Sequence, residues 1–420
     1  MVLMSTKVEG TGKRLTPPSQ RIISIDRFRG IVVFLMILFD ILNLFDNLGF
    51  LSMIGKHPDT EGIKLWDGLT VADLGAPMFM FAIALTLELS YNKRVSLYGK
   101  KETIKHSIIR WVSILSIGAM IDHVEIIIDG EWEHPLNYVF AALLLIMIAC
   151  FILWLIFAAA KLIKAKKFIS KIIVIGMLTI GVLTIIAGID DIRILIHRFY
   201  FPETYSGIGH MNHWCTLQAV GAAGLIGMIA INKKTSVKLL IGCIILAIYT
   251  VIHEFGVNAQ LIDKITQGGI PGALGWGCIV IFGMFIADLF RAKNKKAITV
   301  TVVVLAVLAV IATCYIGLSK RSVSPSYILL TSFTNTVFYL IVVMFDKVKI
   351  KNDFFVWWGR NPLVMYLAPQ GILLIYESVM PDLFLPNPPV WLGIVQIVAF
   401  TAGFSALCYV LNKKNKIIKI

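Results

Sequence analysis

Residues 66–90 read WDGLTVADLGAPMFMFAIALTLELS. From Leu74 to Leu87 no side chain is charged. As a helix rising about 1.5 Å per residue, the stretch is longer than the roughly 30 Å hydrocarbon core of a bilayer. It therefore reads as a membrane span with Asp67 and Asp73 near its start and Glu88 near its end. Eleven comparable runs accompany it, at 30–52, 109–128, 136–160, 172–189, 214–231, 239–256, 270–290, 298–318, 325–345, 361–380 and 390–411. The expectation is an all-α, polytopic integral membrane protein with about twelve transmembrane helices.

Composition agrees. Of 420 residues, 58% are hydrophobic and 15% charged, against about 25% charged in a soluble domain. Mean hydropathy is +0.82. The six Cys lie scattered in apolar runs, which excludes a disulfide-stapled secreted scaffold. Net charge is +14, but the basic residues sit in short clusters between apolar runs, so nucleic acid is not an expected partner. The bilayer is. The first run is too long for a cleavable signal peptide and has no small-residue cleavage site after it. Neither repeats nor Pro-rich or Ser-rich linkers stand out, so the domain reading is a basic tail at 1–29, one transmembrane domain at 30–411 and a basic tail at 412–420.

Charge also orients the chain. With the N-terminus inside, all but seven of the 39 Lys and Arg residues fall on cytoplasmic segments, as the positive-inside rule requires. The exceptions are Lys56, Lys64, Arg193, Arg198, Lys264, Lys320 and Arg321. Both termini are expected in the cytoplasm of a multi-pass cell-membrane protein. Acids such as Asp122, Glu125 and Asp129, and most of the His residues, then face outward.

Ionisable groups within a membrane cost at least about 2.5–3.5 kcal/mol, so each one asks for a reason. In the first span Asp40, Asn43 and Asn47 follow i, i+3, i+7 spacing and share a face. They line either a substrate path or a hydrogen-bonded seam between helices. In the second, Trp66, Thr70, Asp73 and Pro77 share a face, with Pro77 expected to kink the helix beside Asp73. Asp67 suits an N-cap; Asp73 reads as too deep for one. The eleventh span opens Trp358-Gly359-Arg360-Asn361-Pro362 and holds Gln370. Arg360 there meets either a phosphate or lipid headgroups. The pair His210 and His213 reads as an interfacial loop rather than a metal site, and His253-Glu254 as a solvated pair.

Ser24-Ile25-Asp26-Arg27-Phe28-Arg29-Gly30, followed by Trp66-Asp67-Gly68-Leu69-Thr70-Val71-Ala72-Asp73-Leu74, resembles the transmembrane acyltransferases related to heparan-α-glucosaminide N-acetyltransferase. Weaker echoes follow in order at Thr216-Leu217-Gln218, Ile270-Pro271-Gly272-Ala273, Ser326-Tyr327-Ile328-Leu329-Leu330-Thr331 and Gly359-Arg360-Asn361-Pro362-Leu363-Val364-Met365-Tyr366. The resemblance implies transfer of an acyl group, acetyl by analogy, from cytosolic acyl-CoA to an amine or hydroxyl of an extracytoplasmic saccharide or envelope component. Acyl-CoA is then a co-substrate, and neither a bound cofactor nor a metal is implied.

On that resemblance the Asp of Thr-Val-Ala-Asp is Asp73, and Asp40 stands where the family has an Asn. The family's His, three residues before the Trp, is replaced here by Ile63. A base with a pKa near neutrality is what activates such an acceptor. His57, in the preceding loop, is the candidate; Asp40 or Asp73 could substitute if desolvated. Asn43, Trp66, Asp67, Thr70, Gln218, Asn335 and Gln370 are candidates for the substrate path. Arg29, Arg360 and Asn361 are candidates for acyl-CoA, with Asp26 and Arg29 alternatively pairing at the tunnel mouth. The competing reading is a transporter or flippase that keeps the fold without the chemistry. Small residues in spans two, six and eight permit close helix packing, and a homodimer is compatible with them.

Overall fold

A computed structural model describes residues 22–55, 69–129, 135–159, 162–200, 214–254, 266–345, 353–380 and 383–414. Among these residues there are helices and turns and no strand. The helices in chain order are α1 (Ile23–Asn43), α2 (Phe50–Gly55), α3 (Gly75–Tyr98), α4 (Lys100–Asp129), α5 (Pro135–Ala159), α6 (Ile163–Tyr200) and α7 (Thr216–Gly227). There follow α8 (Thr235–Glu254), α9 (Gly269–Arg291), α10 (Lys295–Ile316), α11 (Pro325–Met344), α12 (Phe354–Arg360), α13 (Pro362–Val379) and α14 (Val390–Lys413).

Among the described residues, eight helices are long and apolar enough to cross a membrane, and two apolar helices are shorter. This is a multi-pass membrane protein, but helix length alone does not reach the twelve spans expected. One reason is visible in α1, which is 21 residues long but carries Asp26, Arg27, Arg29 and Asp40. Apolar side chains on α10, among them Val303, Val307 and Val310, are exposed. In water that face would be an association hazard; in lipid it is the natural outer surface.

The chain divides into two compact units. The first comprises 1–58, 70–82 and 335–420. There α1 lies against α12, α13, α2 and α14. Phe28 is fully buried and its ring meets Phe81, Phe338 and Tyr339 at 5.5–5.8 Å between centroids. Burying such a ring contributes about 1.5–3 kcal/mol in a water-to-apolar reckoning.

The second unit comprises 59–69 and 83–334. Most residues of α9 are buried, whereas only a few of α8 and α10 are. Gly221 and Gly224 let α7 rest directly on Leu115 and Trp111 of α4. Near the start of α8, the Nζ of Lys238 donates to Glu88 at 2.7 Å and to Asp288 at 2.8 Å. Arg291 donates to Glu88 at 2.8 Å and also pairs with Asp288. Lys238 is 1% exposed, so this four-residue network is what makes its charge tolerable at that depth.

Candidate functional site

The second span begins later than its sequence suggests. A 3-10 turn at Ala72–Leu74 leads into α3 at Gly75, and Thr70 precedes the helix rather than sharing its face with Asp73. Asp73 is 1% exposed. Its carboxylate accepts from the Thr70 backbone N–H at 3.0 Å and the Thr70 hydroxyl at 3.2 Å. This is the backward half of a capping box, in which an acid inside the first turn satisfies a donor ahead of the helix. Asp73 therefore does have a capping geometry. Pro77 falls in the first turn of α3, where its missing N–H lacks an intrahelical partner in any case, so the expected kink has no cause there.

In α1, Asp40 and Asn43 occupy the last turn, and the helix ends at Asn43. Asn47 lies beyond it and donates to the Pro388 carbonyl at 2.6 Å, while the Asp46 N–H donates to Pro386 at 3.0 Å. The polar seam is thus cut short: Asp46 and Asn47 hold the segment before α14. Asp40 has a different partner. Its carboxylate accepts from the Gln370 amide at 2.5 Å, which ties α1 to α13. Asn43 is exposed.

At the opposite end of α1, Arg29 pairs with Asp26 at 3.8 Å. Arg27 and Asp353, both under one-tenth exposed, pair at 2.7 Å. Asp353 also caps α12 by accepting from the Phe355 and Val356 N–H groups. Arg360 donates to Asn412, and buried Asn361 joins α12 to α13. Asp353 is inconspicuous in the sequence, because the partner that defines its role is 326 positions away.

Asn335 on α11 is 1% exposed, and neither polar atom of its amide has a hydrogen-bond partner among the described residues. A buried carboxamide left open in this way costs about 1–3 kcal/mol per unmet group. Gln218 belongs to the second unit. Its Oε1 accepts from the Cys215 N–H at 2.6 Å at the start of α7, and its Nε2 is buried without a partner. His57, Ile63, Trp66 and Asp67 lie outside the described residues. Among the described residues no three His, Cys, Asp or Glu side chains gather as a metal site.

His253 is not a solvated residue. It is 6% exposed, with its ring between Glu254 and Ser322.

Residues 21–189 match the family model of the heparan-alpha-glucosaminide N-acetyltransferase catalytic domain, and over this part the chain is related to that family. The matched segment contains Asp26, Arg29, Asp40, Thr70 and Asp73; Gln218, Asn335, Arg360 and Gln370 fall after it. No curated protein matches the chain.

Proposed function

We propose that the protein is a membrane-embedded acyltransferase. It takes an acyl group, acetyl by the family's example, from cytosolic acyl-CoA and delivers it to an amine or hydroxyl of an extracytoplasmic saccharide or envelope component. The observation that carries the reading is the family match over residues 21–189, a segment that contains Asp40 and Asp73. In this reading the basic loops and both termini are cytoplasmic, and Arg360, Asn361 and Arg29 meet the donor's phosphates. Asp73 positions or activates the base, while Asp40 with Gln370 and Asn335 lines the route of the acyl group. The role of base falls to His57 or to one of the two carboxylates.

The test is acyl-CoA binding to the purified protein in detergent, with thioester consumption followed in parallel. Saturable binding weakened about tenfold by Arg360→Ala, with turnover abolished by Asp73→Asn, supports the reading. Intact turnover in His57→Ala removes His57 as base. Failure to bind acetyl-CoA or any longer acyl-CoA overturns the donor assignment and leaves transport as the function to test.

A further inference from the structure

Glu254, His253 and Ser322 stand in line within the second unit. The Nδ1 of His253 lies 2.9 Å from a Glu254 carboxylate oxygen, and its Nε2 lies 3.2 Å from the Ser322 Oγ. In the tautomer that donates from Nδ1 to Glu254, the Nε2 lone pair faces the Ser322 hydroxyl. An acid that fixes the ring, a base with a free lone pair and a hydroxyl in reach make up the arrangement that activates a nucleophile.

Ser322 is held from its other sides as well. Its N–H donates to the Ser319 Oγ at 3.2 Å, and its carbonyl accepts from the Tyr249 hydroxyl at 2.8 Å. The next residue, Val323, has φ +56, a left-handed conformation that a β-branched side chain adopts only under constraint. The Gly268 N–H donates to the Arg321 carbonyl at 2.8 Å, which brings the Gln267–Gly268 turn against Ser322. Gln267 is 8% exposed at φ +59, and its Oε1 has no hydrogen-bond partner among the described residues.

We propose that Ser322 is a catalytic nucleophile that carries an acyl group as a serine ester, with His253 as its general base and Glu254 as the residue that orients the imidazole. The Ser322 oxygen attacks the carbonyl carbon of an activated acyl ester or thioester, and its proton passes to His253 Nε2. The bond from that carbon to the leaving oxygen or sulfur breaks, and His253 returns the proton to the leaving group. An acceptor hydroxyl or amine then attacks the serine ester, gives its proton to His253, and frees Ser322 as His253 reprotonates it. This goes beyond the acyl-transfer reading, naming an acyl-carrying residue apart from Asp40 and Asp73, and it needs no CoA to be tested.

The experiment exposes the full chain in detergent to p-nitrophenyl acetate, follows p-nitrophenolate release and maps acetylated peptides by mass spectrometry. The expected result is acetyl on Ser322, formed about 100-fold more slowly in His253→Ala and about tenfold more slowly in Glu254→Gln, each eluting from size exclusion as the parent does. Ser322→Cys should retain acylation, as a thioester. No acetyl on Ser322 in protein that elutes normally, or equal acetylation in His253→Ala, overturns the proposal. Failure of acyl-CoA binding with acetylated Ser322 would strike the donor assignment alone.

Discussion

Gly30 of α1 and Gly359 of α12 face each other with no room for a side chain on either. A Cβ built on Gly30 would stand 1.7 Å from the Phe355 carbonyl oxygen, and one on Gly359 would stand 1.8 Å from that of Asp26. Gly30 ends the short motif before the first span, and Gly359 stands at the head of the motif that opens the eleventh. Backbone contact of this kind, shared by small residues, is how membrane helices approach closely when lipid offers no hydrophobic drive. The glycines thus fix α1 beside the Asn361 junction and Arg360.

Because the obstacle is backbone rather than a flexible side chain, relief requires the helices to part. Gly30→Ala or Gly359→Ala should cost about 3 kcal/mol, the upper end of what overpacking costs, and lower the unfolding temperature in a size-exclusion thermostability assay. Gly371→Ala and Gly403→Ala, where nothing lies within 4 Å, are the controls and should change little. Equal effects at all four positions would show that the crossing is looser than this.

The Arg27–Asp353 pair makes a second, separable demand. Removing either partner leaves a charge with under one-tenth exposure, at about 3–5 kcal/mol. Asp353→Ala also removes the α12 cap, worth about 1 kcal/mol. Asp353→Asn keeps an acceptor for the cap and loses only the charge. The double variant Arg27→Ala with Asp353→Ala should therefore fall well short of additivity in chemical or thermal unfolding. Strict additivity would mean the two residues stabilise the fold independently.

Lys238 offers a comparable test in the second unit. Lys238→Ala leaves Glu88 and Asp288 facing each other with Arg291 as the remaining cation, and should cost about 3–5 kcal/mol. Arg291 is 31% exposed, so Arg291→Ala should cost under about 1 kcal/mol. A ranking in the opposite order, read from unfolding midpoints, would show that Arg291 carries the network.

These cases show what hydropathy could and could not convey. Runs such as 325–345 and 390–411 coincide within a few residues with α11 and α14, because their boundaries are set by where apolar side chains stop. The start of α1 at Ile23 was hidden by Asp26, Arg27 and Arg29, charges that are neutralised by partners rather than by water. The ends of α4 and α6 were hidden for a related reason: each helix continues past its apolar part into charged turns, over Lys100–Arg110 and Asp190–Tyr200. Of the candidate site, Asp40 and Asp73 were legible because a charge in an apolar run is conspicuous. Asp40 with Gln370, Lys238 with Glu88 and His253 with Ser322 were not, since local spacing holds no information about a partner 69–330 positions away.

Asp73 is where structure and function can be pulled apart. Its capping bond to the Thr70 N–H needs an acceptor oxygen and not a charge, so Asp73→Asn preserves the start of α3 while Asp73→Ala removes it. In unfolding assays Asp73→Ala should lose about 1 kcal/mol and Asp73→Asn a fraction of that. If Asp73 serves only as a cap, thioester turnover should follow the same order, with Asp73→Asn close to the parent protein. If its negative charge positions or activates the base, Asp73→Asn should lower turnover by about 10²-fold or more with stability nearly unchanged. Measuring both quantities on both variants separates a helix start that happens to be acidic from an acid that also performs chemistry.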